Sequence, residues 1–124
     1  MNQPSRYELF VLPEGVKKVT VEKDLKIPNA AKFIVQREDH TLGNVLRERL
    51  AMQANVTFAA YRVPHPLEPV FELVVHTNKA STPVAALGVA IDDLLSDLSI
   101  LEDRFKLEVN RVGRHSAPQS GAMY

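Results

Sequence analysis

Between Pro83 and Val112 the apolar residues fall at Val84, Leu87, Ile91, Leu94, Leu98, Leu101 and Phe105. The steps alternate three and four, a mean period of 3.5, which predicts a helix carrying a heptad seam. Thr82 suits its N-cap, and Pro83 suits the first helical position, where no backbone donor is needed. Gly113 stands where a left-handed stop is expected, and Arg111 complements the negative end of the helix dipole. Such a helix is about 45 Å long, more than one small sheet covers. A second apolar set (Ala86, Val89, Ala90, Leu95, Ile100) widens the stripe. Two readings follow: the core helix of a monomer, or a helix with one flank on its own sheet and its seam turned to another chain. Pattern alone leaves both open, and the width of the stripe argues for the second.

The rest of the chain supplies the sheet. Lys18–Glu22 alternates polar and apolar and predicts a short strand with one wet face. Ala31–Arg37, with Phe33, Ile34 and Val35 at its centre, predicts a second strand paired to the first. The period then changes. Leu42, Val45, Leu46 and Leu50 follow helical spacing to about Met52, with Asp39 or Thr41 as N-cap. Gly43 in the first turn costs roughly 1 kcal/mol of helix stability against Ala, so a close approach by another backbone or helix is expected there. Val56–Val63 and Val70–Thr77 predict two further strands, separated by a proline-rich stretch that cannot join a ladder. In the last strand Phe71, Leu73 and Val75 point inward, and Glu72 and His76 outward. The order ββαββα predicts an α+β two-layer sandwich, a four-stranded sheet with two helices on one face. Residues 1–113 form the expected domain. Within it, 1–16 is an irregular apolar segment broken by Pro4, Pro13 and Gly15; beyond it, 114–124 has the composition of a disordered tail.

Composition narrows the function. A chain of 124 residues is one domain, and its 15 basic and 15 acidic residues cancel. Direct nucleic-acid binding ordinarily needs a concentrated basic excess, so none is expected. The absence of Cys excludes disulfides, thiolate zinc sites and cysteine nucleophiles. No apolar signal core and no membrane-length apolar run is visible, so a soluble intracellular domain is expected, with no membrane partner.

Candidate chemistry is sparse. Asp39-His40 is the most enzyme-like pair, but adjacent residues rarely bring their side chains into contact, and a capped helix start accounts for it better. His40, His65, His76 and His115 do not pair at metal-ligand spacing. Asp92, Asp93 and Asp97 read as a solvated acidic face, and Lys17, Lys18, Lys23 and Lys26 as protection for an edge strand. No catalytic residue, metal site or cofactor is expected.

The string Glu38-Asp39-His40-Thr41-Leu42-Gly43-Asn44 resembles the signature helix start of the small alpha-like subunits of archaeal and eukaryotic RNA polymerases. The bacterial alpha dimerisation helix has a similar His-Thr-Leu-Gly-Asn run. The resemblance continues through Val56–Glu68 and, upstream, through Tyr7–Phe10 and Pro13–Lys18, covering roughly residues 5–110. Those upstream residues, with Val63–Glu68, favour the polymerase II type over the sister subunit shared by polymerases I and III.

The resemblance implies the alpha-like dimerisation fold and a non-catalytic nuclear subunit. Its implied partner is the larger alpha-like third subunit of RNA polymerase II, and the heterodimer is an assembly platform for the two large catalytic subunits. The implied partner interface is Leu42, Gly43, Val45, Leu46 and Leu50 on the first helix with Val84, Leu87, Gly88, Ile91, Leu94, Leu98, Leu101 and Phe105 on the second. Tyr7, Phe10 and Arg47 are candidates for contact with the large subunits. One departure is visible. The bacterial pattern continues Ala-Leu-Arg-Arg where this chain has Val45-Leu46-Arg47-Glu48, so a basic contact carries over at Arg47 but not at Glu48. Outside the family, the competing class is a homodimeric ligand-binding module of the same architecture. It would need a convergent polar pocket, which the sequence does not show.

Overall fold

A computed structural model describes residues 5–116. A 3-10 turn, Arg6–Leu9, precedes β1 (Val19–Lys23), β2 (Ala30–Gln36), α1 (His40–Ala51), β3 (Val56–Arg62), β4 (Val70–Thr77) and α2 (Pro83–Ser116). The ββαββα order is the one expected, and the short turn near the N-terminus is an addition to it. The sheet is antiparallel throughout, with strand order β1-β2-β4-β3. Each half of the chain is a strand pair followed by a helix. The second strand of each pair, β2 and β4, meets its counterpart at the sheet centre.

Register explains the burial. Ala31, Phe33 and Val35 of β2 face Val75, Leu73 and Phe71 of β4. Residues paired across a ladder share a face, so these six form one apolar surface, and all are buried. On the outer face Glu72 and His76 alternate with Val74, all half-buried. Helix α1 packs over β3 and β4 and buries Leu46 and Leu50 against the inner surface. Ala86 and Ala90, in the first turns of α2, are buried as well. Gln53 Nε2 donates to the Ala86 carbonyl at 2.8 Å, tying the end of α1 to the start of α2.

Two expectations about elements are corrected. Strand β1 shows no dry face: all five residues are exposed, Val19 and Val21 among them. Its valines lie on the helix-facing side, opposite Val35 and Phe33. As an edge strand, however, β1 has a neighbour on one side only, and α1 lies at the other end of the sheet. The second correction is at Gly113, which does not stop α2. Its φ is not positive, and the helix runs to Ser116, so 114–116 are not tail. A glycine inside a helix costs only about 1 kcal/mol. In the turn before it, Arg111 Nε donates to Glu108 at 3.0 Å, a favourable i,i+3 pair. The remainder of the expected tail, 117–124, lies outside the described residues.

The chain divides into two compact units, Met1–Ile91 and Asp92–Tyr124, with the boundary inside α2.

Candidate functional site

The motif Glu38–Asn44 forms the start of α1. Asp39 is the N-cap, its carboxylate accepting from the Thr41 amide at 3.0 Å, which leaves Thr41 without the capping role. His40 Nδ1 lies 3.0 Å from the Tyr61 hydroxyl, and the two rings meet edge-on. The His40 side chain is therefore tied to β3 through Tyr61. Gly43 is buried beneath the same tyrosine. A Cβ built there would meet Tyr61 Cδ2 at 2.7 Å and Cε2 at 3.0 Å. The close approach expected at Gly43 is real, but the approaching group is a strand tyrosine of the same chain rather than another helix. Among the described residues no group of three or more His, Cys, Asp or Glu is placed to hold a metal ion.

The expected interface residues separate by burial. On α1, Leu46 and Leu50 belong to the chain's own core, because both face β3 and β4. That corrects their placement on a partner surface. Leu42 is half-buried, and Val45 is exposed. In the first turns of α2, Val84 and Ile91 are exposed, and Leu87 is half-buried. A Cβ on Gly88 would meet nothing within 4 Å. Arg47 donates to Asn44 Oδ1 at 2.8 Å, while Tyr7 and Phe10 are exposed.

The second unit carries the more telling pattern. From Asp92 to Arg114 every residue is exposed except Leu94, which is half-buried. Leu98 is 59% exposed, Leu101 64% and Phe105 68%. Val112, seven residues past Phe105, continues the seam with Glu108 interrupting it. The period that ended at Phe105 could have found Val112. Of the second apolar set, only Ala86 and Ala90 are buried, whereas Val89, Leu95 and Ile100 are exposed. Fully burying one Leu or Phe contributes about 1.5–3 kcal/mol. A solvated helix with this many uncovered apolar side chains is strongly stabilised by any surface that covers them.

The Asp24 carboxyl is held below the ordinary carboxylate range by the backbone N–H groups of Lys26 and then Ile27, which it accepts in the β1–β2 turn. The Arg111 guanidinium is raised by its hydrogen bond to Glu108. Both shifts come from local turn and helix geometry.

Residues 30–104 match the family model described as the RNA polymerase Rpb3/Rpb11 dimerisation domain. The chain is 42% identical over 111 residues to DNA-directed RNA polymerase II subunit rpb11 of Dictyostelium discoideum, covering 90% of this chain and 92% of that one. It is 44% identical over 121 residues to the probable RPB11 of Caenorhabditis briggsae, with 98% of each covered. Against the Schizosaccharomyces pombe RPB11 it is 44% identical over 108 residues, with 87% of each covered. The crystal structure of DNA-directed RNA polymerase subunit L from Thermoplasma acidophilum superposes with a TM-score of 0.63 at 22% identity, spanning 81% of this chain and 97% of that one. That likeness shows the same fold.

Proposed function

This chain belongs to the RNA polymerase Rpb3/Rpb11 dimerisation family, and from that membership we propose that it is a non-catalytic subunit of DNA-directed RNA polymerase II. It pairs with the larger alpha-like third subunit, and the heterodimer receives the two large catalytic subunits. Its place of work is then the nucleus. The relatives named for polymerase II support this type over the sister subunit of polymerases I and III.

The observation that carries the reading is the uncovered seam of α2, with Leu98, Leu101 and Phe105 each more than half exposed. A row of this kind is held in register by knobs-into-holes packing against a second helix. Val84, Leu87 and Ile91 continue the row toward the start of α2, and Leu42 and Val45 are the α1 residues that remain candidates for contact with the partner. Gly88, with open space around its Cα, admits a closely packed partner helix. Leu46 and Leu50 act indirectly, by fixing α1 to the sheet.

Leu98→Asp tests this. A buried unpaired carboxylate in the seam is strongly disfavoured, whereas in the free chain residue 98 is solvated. The variant should express, retain the wild-type circular dichroism and thermal transition, and fail to co-purify with the co-expressed third subunit. Co-purification at wild-type yield would overturn the assignment.

A further inference from the structure

On the first unit, remote in sequence from α2, a groove of about 520 Å³ lies where three loops converge. Its apolar walls are Leu9 at the end of the 3-10 turn and Phe10 just after it, with Val63, Pro66, Leu67 and Pro69 from the β3–β4 connection. Phe10 and Leu67 are exposed within it. Pro66 and Pro69 have no amide N–H, so this wall cannot extend a β-ladder and must recognise an occupant by other means.

Arg37 lies in the groove lining in the left-handed region, at φ +58°. A long side chain is strained there, and such strain clusters where a segment is held for a purpose. The Arg37 guanidinium donates through Nη1 to the Glu8 carbonyl at 2.5 Å, which fixes the Leu9–Phe10 wall. Its Nε is buried and has no acceptor among the described residues.

The lining also carries carboxylates. Glu38 is paired with Lys18 at 3.0 Å, and Asp39 caps α1. Glu68 is exposed and makes no ion pair among the described residues. With Arg37 as its one Lys or Arg against three carboxylates, the groove is apolar at its walls and net acidic.

We propose that this groove is a second docking surface, taking an extended apolar segment flanked by Lys or Arg from another chain of the assembly. The apolar residues of the segment cover Phe10 and Leu67, and its cations face Asp39 and Glu68. This deepens the assembly reading, adding a surface that acts independently of the helical seam.

The probe is a capped, fluorescein-labelled peptide, Lys-Arg-Leu-Pro-Leu-Phe-Pro-Arg-Lys, titrated with the full chain and followed by fluorescence anisotropy. Two counterparts carry Glu in place of every Lys and Arg, or Ser in place of Leu and Phe. Saturable binding is expected, at least about tenfold tighter than for either counterpart and weakening as salt rises. Glu68→Lys should weaken it several-fold while leaving co-purification with the third subunit intact. Leu98→Asp should leave it unchanged. Binding that Leu98→Asp abolishes would place the peptide on the seam and overturn the proposal. Equal affinity for the charge-reversed peptide, indifference to Glu68→Lys, or no saturation would overturn it as well. Failure of the pairing assay alone would instead count against the assembly reading.

Discussion

Gly43 shows how one residue joins the helix start to the sheet. In isolation a glycine in the first turn weakens a helix by about 1 kcal/mol, so replacement by Ala should help. Here the added methyl meets the Tyr61 ring at 2.7 Å, and that ring is half-buried and tethered through its hydroxyl to His40. Overpacking of this kind costs about 1–3 kcal/mol. Gly43→Ala should therefore lower the thermal midpoint by several degrees despite the better helix former. A midpoint equal to or above wild type would show that Tyr61 moves aside freely. The sequence marked the glycine as a point of close approach, because a missing side chain in a first turn needs a reason. It did not identify the neighbour, since Tyr61 reaches Gly43 only through the packing of α1 on β3. Leu46 and Leu50 make the same point. Helical spacing placed them on an apolar face, but which apolar face meets the chain's own sheet is decided by tertiary packing.

At the scale of elements, period and boundary differed in legibility. The alternation in Val70–Thr77 and the heptad in α2 are local and strong, and both elements stand where the pattern put them. Helix α2 continues past Gly113 because a glycine is a stop only when its backbone turns left-handed, and Gly113 remains helical. Strand β1 alternates yet is exposed throughout, because alternation records which residues share a face, not whether anything covers that face. The exposed seam of α2 leads to an element-level expectation. Hydrogen exchange in the free chain should find the amides from Asp92 onward far less protected than those of β4, whose inward residues are fully buried. Pairing with the third subunit should slow the same α2 amides by orders of magnitude. Protection equal to that of β4 before any partner is added would mean that the seam is already covered.

For the whole molecule, the two-layer plan follows from element order, since helices after successive strand pairs cover one face of a single sheet. Strand order does not follow. The central β2–β4 pairing joins the two halves of the chain, and no local turn specifies it. Much of the interior lies along that seam, so the halves fold against each other. What the interior leaves uncovered is the long row from Leu98 to Val112, which is the centre of the functional account. Native mass spectrometry of the chain, alone and co-expressed with the third subunit of polymerase II, tests it most directly. A one-to-one complex that replaces the free chain is the expected result. A stable monomer that ignores the partner, or a homodimer that the partner cannot displace, would contradict it.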